Sequence, residues 1–361
     1  MSKIAWNDIN WTLVQNRISR QQRRVYKASV EGNRAKVHAI QRRIIVSLDA
    51  RLLAVRRVTT ENKGHNTAGV DKVKAISHKK KIELAYRLKL DGKASPIRRT
   101  HIPKPGKSER RPLGIPTIDD RAKQMLVKLA LEPEWEAIFE PNSYGFRPGR
   151  SWHDATATLF LSLRGKSRYV LDADIQKCFD RIDHDKLLKK LSTFDLMENQ
   201  IKAWLKVDII VGYLNRPDEV IQAMEGTPQG GVISPLLANI ALHGLGDHIK
   251  NWYANTWYPT TGRNSNVGKR DRMAAVGFTR YADDFVITAP ERVDIIEIEK
   301  QVAIWLNNEA GLELSKAKTR IVNSTEGFEF LGFQIISIKR SNGAYKVKIH
   351  PSRRSRARII Q

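Results

Sequence analysis

Residues 278–288, FTRYADDFVIT, decide the fold. Apolar strand-formers flank two adjacent carboxylates, Asp283 and Asp284, so 277–289 reads as strand, tight turn, strand. Adjacent residues on a straight strand point to opposite faces, so both acids can serve one site only if the chain turns there. Two carboxylates at a hairpin tip repel each other, and bound divalent cations relieve that repulsion. Taken alone, the dipeptide reads better as an ordinary solvated Asp-Asp turn.

Residues 169–180, YVLDADIQKCFD, change the balance. The apolar run 169–171 leads into Asp172, Asp174 and Asp180. Asp174 shares strand parity with Asp172, and Ala173 lies on the other face. A strand-end acid with a hairpin acid pair is how a two-metal phosphoryl-transfer site is assembled: two Mg²⁺ ions activate a 3′-hydroxyl and hold the leaving pyrophosphate. Hard cations take oxygen ligands, which explains carboxylates rather than His or Cys. For Asp172 and Asp180, helix capping or surface solvation stays open as the alternative.

Residues 6–57 carry apolar positions at three- and four-residue steps, including Val14, Ile18, Val25, Val37, Ile40 and Ile44. This predicts helices, separated at Glu31-Gly32-Asn33. Residues 59–71 read as a loop. Four prolines and two glycines in 97–118 exclude a helix there and predict strand, turn, strand. A helix follows from Asp119 or Asp120 to about Phe139, then an irregular stretch at 142–149 and a helix from about Ser151. Asp183-His184 opens another helix. A Gly/Pro-rich loop at 226–235 feeds a helix at 236–249. Residues 252–272 read as a loop with aromatic and basic character, 295–308 as a helix, and 329–339 and 344–350 as strands. Helices and strands without a regular βαβ repeat predict an α+β fold.

The chain has 361 residues, 63 Lys plus Arg and 38 Asp plus Glu, for a formal charge of +25. Such an excess favours polyanions through counterion release, nucleic acid first and an anionic membrane surface second. At 41% hydrophobic the chain can bury a core, so wholesale disorder is excluded. No apolar run reaches the ~18 residues that a bilayer span needs. The first residues lack a secretion signal pattern, so a cytoplasmic or organellar location is expected. The one cysteine, Cys178, excludes an internal disulfide. The histidines show no HExxH spacing, and no GxxxxGK[ST] phosphate loop occurs.

Tyr281-Ala282-Asp283-Asp284 resembles the YxDD motif of reverse transcriptases, in the YADD form of the group II intron enzymes. RRPLGIPTIDDRAKQ (110–124), EPNSYGFRPGRSWHDA (140–155), DADIQKCFD (172–180), GTPQGGVISPLLANI (226–240), GFTRYADD (277–284), LSKAKT (314–319) and EFLGF (329–333) follow in the family's order. AVRRVTTENKGHNTAGVD (54–71) is similar to the N-terminal extension of the same group. The resemblance implies a right-hand polymerase of fingers and palm, with an antiparallel palm sheet backed by helices. The expected division is a basic helical extension over 1–72, fingers over 73–165, palm over 166–350 with part of the fingers inserted, and the start of a thumb over 351–361. Relatives usually continue into a helical thumb, so the thumb is expected to be largely absent here, and no endonuclease is expected.

By resemblance, Asp174 and Asp283 are the principal metal ligands, with the carbonyl of Ile175, and Asp284 supports the second ion or the primer end. Phe179 matches the steric gate that rejects a ribose 2′-hydroxyl; a buried aromatic is the alternative. Gln229 resembles the residue that touches the incoming nucleotide. Lys104 with Arg110 or Arg111 resembles the triphosphate clamp, and both arginines fit. Lys318 matches the lysine proposed to protonate pyrophosphate; a solvated surface lysine is the alternative. Tyr144, Phe146 and Arg147 are expected to line the template path by stacking and phosphate contact, or else to fill a core junction.

The implied activity is RNA-directed DNA polymerisation with two Mg²⁺ ions and dNTP substrates, on an RNA template and DNA primer, in intron retrohoming. Group II intron RNA is the expected partner, with a thumb-supplying chain or a homodimer as a further one and no membrane. The alternatives are a non-catalytic RNA-binding maturase and a reverse transcriptase domesticated for defence.

Overall fold

The computed structural model describes residues 5–360 except 75, 104–109, 214–215, 223–224, 228 and 265. The chain divides into two units: Met1–Ile138 with Phe179–Ile240, and Phe139–Cys178 with Ala241–Gln361. Along the chain run α1 (Trp11–Val30), α2 (Arg34–Val46), α3 (Leu48–Arg56), α4 (His78–Arg87), β1 (Ile97–Pro103), β2 (Arg110–Ile115) and α5 (Ile118–Glu136). Then come α6 (Trp152–Leu163), β3 (Tyr169–Asp174), α7 (Cys178–Arg181), α8 (His184–Leu191), α9 (Asp195–Leu205), β4 (Ile209–Tyr213), β5 (Arg216–Ile221) and α10 (Ser234–Ala241). Last are α11 (Leu245–Trp252), α12 (Lys269–Ala274), β6 (Gly277–Tyr281), β7 (Asp284–Ala289), α13 (Arg292–Ala310), β8 (Arg320–Asn323), β9 (Phe328–Phe330), β10 (Phe333–Lys339), β11 (Tyr345–Pro351) and α14 (Arg353–Ile360). This is the expected α+β class.

In the first unit, α1 and α2 separate where the sequence predicts. Gly32 takes φ +67°, and Asn33 caps α2 by accepting from the Lys36 N–H at 3.0 Å. Both helices pack on α5, whose Leu126, Val127, Ala130 and Leu131 are fully buried. Pro133 lies inside α5 and has no N–H to give the Leu129 carbonyl. Gln22 Nε2 of α1 donates to that carbonyl instead, at 2.9 Å. The first part of the loop expected over 59–71 is not a loop: Arg57–Glu61 forms a π-helical turn and Lys63–Asn66 a 3₁₀ turn. Tertiary bonds hold the second of these turns. The Arg121 guanidinium, on α5, donates to the carbonyls of Gly64 and Thr67. The unit's sheet has the order β2-β1-β4-β5, antiparallel except for the β1–β4 pair.

The second unit is built on an antiparallel sheet of order β6-β7-β3-β8. Its two faces differ. Leu171, Ala173, Phe285 and Ile287 share one face and are buried, and α13 packs on β3 and β7. Val170 and Val286 share the other face, in one core with Ala155, Leu159 and Leu163 of α6. Phe328, Phe330, Ile335 and Val347 of the β11-β10-β9 sheet complete that core. Residues 253–261 are not the expected loop but π and 3₁₀ turns, Tyr253–Trp257 and Tyr258–Thr261. The buried Asp294 accepts from Trp257 Nε1 and Arg263 Nη1, both at 2.9 Å, and so ties the segment to α13. Among the described residues no helix is long and apolar enough to cross a membrane.

Candidate functional site

β3 and β7 pair in a register that sets Asp174 directly opposite Asp284 and Asp172 opposite Val286. Register partners lie on one face of a sheet. Asp172, Asp174 and Asp284 therefore continue the face that α6 covers only at its Val170–Val286 end. β8 sets Arg320 opposite Asp172, and its guanidinium pairs with that carboxylate at 2.9 Å. Asp283 sits in the two-residue turn between Tyr281 and Asp284. The three acids singled out by sequence thus come together within one unit.

The turn is held in a costly conformation. Ala282 takes φ +59°, which costs a non-glycine residue about 1–2 kcal/mol. Two-residue hairpin loops favour positive φ at the first central position, because that twist matches the strands.

Lys318 reaches the same carboxylates. Residues 313–319 are stitched onto the end of β3: Gln176 N–H donates to Glu313 O at 2.9 Å, and Ser315 N–H to Asp174 O at 2.8 Å. Ile175 is buried and forms an isolated bridge with Leu314. This places Lys318 Nζ 2.8 Å from Asp174 Oδ2. That hydrogen bond holds the Lys318 ammonium above its usual range.

Charge crowding shows at Asp284. It keeps solvent access at the rim of the face. Yet partial burial first, then repulsion from Asp283 and Asp174, push its carboxyl up to about 7, against the pull of Lys318. Burial also raises Asp172, against the opposing effect of Arg320. Hard oxygen donors that repel one another fit a divalent cation in chemistry. Among the described residues, however, no three His, Cys, Asp or Glu groups already stand as a ligand cage.

The template candidates divide. Tyr144 is 5% exposed and its hydroxyl hydrogen-bonds Thr158. Arg147 is 6% exposed and donates to the carbonyls of Glu140 and Ser143 at 2.9 and 2.7 Å. Both are built into the interior of the unit. Phe146 is 49% exposed and offers an accessible ring.

In the first unit, Gln229 Nε2 donates to Asp180 Oδ2 at 3.2 Å. Both line a cavity with Arg99, Pro112, Gly114 and Thr227. Gly230 takes φ +111°, and a Cβ there would stand 2.5 Å from the Gly114 carbonyl oxygen, so the close approach requires glycine. Phe179 is half-buried, and its carbonyl accepts from the Thr227 N–H. His184 opens α8 and its Nε2 meets the Gly226 carbonyl at 2.7 Å. Arg110 and Arg111 are both exposed at consecutive positions of β2. Arg110 shares strand parity with Pro112 and Gly114, and Arg111 does not, so the two cannot serve one phosphate from one face. Lys104 lies outside the described residues.

Sequence reasoning passed over Arg320, Arg99 and Arg280. Arg320 becomes visible only through the β3–β8 register. Arg280 stands next to Tyr281 yet is fully buried, and burial lowers its guanidinium to about 10, still cationic at neutral pH.

Residues 102–335 match the family described as "Reverse transcriptase (RNA-dependent DNA polymerase)", and residues 6–88 match "N-terminal domain of reverse transcriptase". The chain is 33% identical over 318 residues to Protein YkfC of Escherichia coli (strain K12), covering 82% of this chain and 83% of that protein. It is 33% identical over 345 residues to the group II intron-encoded protein LtrA of Lactococcus lactis subsp. cremoris, covering 81% of this chain. It spans 56% of LtrA's length. The fold is similar to an apo telomerase structure from Candida tropicalis, with a TM-score of 0.50 and 12% identity, over 72% of this chain and 55% of that one.

Proposed function

We propose, from the premise that this chain belongs to the reverse transcriptase family, that it is an RNA-directed DNA polymerase of the group II intron type. It extends a DNA primer on an RNA template with dNTPs. One observation carries the reading. Asp174 and Asp284 stand opposite each other at the open end of one sheet face with Asp283 in the adjoining turn, and burial, then repulsion from Asp283 and Asp174, pushes Asp284 up to about 7. Two Mg²⁺ ions held there would supply Lewis-acid activation of the primer's 3′-hydroxyl and charge for the departing pyrophosphate. Asp174 and Asp283, with the carbonyl of Ile175, are the assigned ligands, and Asp284 supports the second ion or the primer end. Lys318, already on Asp174, gives its proton to pyrophosphate.

The first unit binds the nucleotide. Gln229, fixed on Asp180, contacts it; the Phe179 ring excludes a 2′-hydroxyl; Lys104 with Arg110 or Arg111 holds the triphosphate. The exposed Phe146 ring stacks on the template. Group II intron RNA is the assigned partner, which LtrA's description as group II intron-encoded supports, and intron retrohoming is the process assigned with it.

A second reading is a non-catalytic RNA-binding maturase. The exposed Arg17, Arg20, Arg23, Arg24 and Lys27 of α1 favour it, as does 26% identity over 331 residues to "Maturase-like protein 1" of Euglena gracilis. The two readings separate in a primer-extension assay. Mg²⁺-dependent, RNA-templated dNTP addition supports the polymerase; tight RNA binding without any addition supports the maturase.

A further inference from the structure

Residues 142–145 run along the outer edge of the acidic hairpin. Arg280 N–H donates to the Asn142 carbonyl, and Tyr144 N–H donates to the Arg280 carbonyl, both at 2.9 Å. Ser143 and Arg280 form a parallel bridge. The next residue, Gly145, lies so close that a Cβ there would collide with the Ala282 backbone nitrogen. Backbone on both sides leaves nothing that could give way. Arg147 closes the loop from within through its bonds to Glu140 and Ser143.

Arg280 completes the enclosure from the opposite face of the sheet. Its register partner is Phe285, so its side chain leaves the sheet away from Asp284 and Asp174. From there Nη1 turns back to donate to the Ala282 carbonyl at 3.1 Å. That carbonyl belongs to the left-handed residue immediately before Asp283. A buried cation is costly to desolvate. The carboxylates of Glu140 and Asp283 offset part of that cost, and the bond to the Ala282 carbonyl is among the contacts the guanidinium makes.

We propose that Arg280 and Gly145 are positioning residues that hold the strained Ala282 turn and so fix where Asp283 is presented. The segment NSYGFR is on this account first a brace for the acidic hairpin. The consequence for metal binding rests on the polymerase reading; the brace itself does not.

The test is hydrogen–deuterium exchange on the metal-free protein, comparing wild type with Arg280→Gln and Arg280→Lys. Arg280→Gln is expected to speed exchange at residues 282–284 roughly ten-fold or more, with α13 unchanged. Arg280→Lys, which keeps one donor and the charge, is expected to show a smaller change in the same place. Should Arg280→Gln fail to fold, Arg280→Lys alone decides. Unchanged exchange at the turn, or a loss of protection spread evenly over the unit, overturns the proposal. Mg²⁺ titration of the melting temperature follows: the midpoint rises several-fold in Arg280→Gln and partly recovers in Arg280→Lys. Faster exchange at the turn together with a wild type that adds no nucleotide would leave the brace standing and remove the polymerase reading.

Discussion

Lys318 Nζ lies 2.8 Å from Asp174 Oδ2, so a side-chain cation already occupies the carboxylate assigned to the metal. Lys318 and an incoming ion compete for that oxygen. The lysine side chain is 57% exposed, and such pairs are worth about 0–1 kcal/mol. Lys318→Met is therefore expected to lower the Mg²⁺ midpoint of thermal stabilisation by roughly two- to five-fold, while slowing primer extension. A midpoint that stays or rises would show that the lysine does not compete.

Asp284 makes stability depend on pH. Its folded-state carboxyl is raised to about 7 by burial and by Asp283, Asp174 and Asp172, against Lys318. A raised carboxyl binds its proton more tightly in the folded than in the unfolded chain. Its contribution is thus fully present below the unfolded value near 4 and is lost as pH rises through about 7. In EDTA, Asp284→Asn is expected to raise the melting temperature at pH 8 and leave it nearly unchanged at pH 3.5. Mg²⁺ should restore wild-type stability at pH 8. A pH-independent effect of the substitution would contradict the crowding.

Much of this site was legible in sequence because it is local. The hairpin follows from two apolar runs around Asp283 and Asp284, and the shared parity of Asp172 and Asp174 from period two. Gly32 and Asn33 marked a helix break in the same way. The turns at 253–261 were not legible. Trp257, Tyr258 and Pro259 argue weakly for helix, and what imposes the turns is Asp294, far along the chain. Strands β4 and β5 were hidden by Gly212 and Pro217. The interior places of Tyr144 and Arg147 depend on Thr158 and on the carbonyls of Glu140 and Ser143, and residue type alone does not reveal them.

Phe179 tests sugar selection. Phe179→Ala is expected to raise ribonucleotide incorporation about ten- to a hundred-fold relative to deoxynucleotide, measured as the ratio of kcat/KM values. An unchanged ratio would return Phe179 to a packing role.

The net charge of +25 predicts RNA binding that weakens steeply with salt. Arg20, Arg23 and Lys27 are exposed on α1. Changing all three to Gln should reduce the slope of log K against log salt by about 0.7 to 0.9 for each phosphate no longer neutralised. An unchanged slope would place the RNA on another surface.

The acids at the open end of the β3–β7 face and in its turn are expected to carry nucleotide addition. Primer extension on an RNA template with Mg²⁺ and dNTPs, comparing wild type with Asp283→Asn, tests that role most directly, with RNA affinity measured in parallel. Extension is expected in wild type and only at background in Asp283→Asn, with equal RNA affinity. Extension retained by Asp283→Asn would contradict that role.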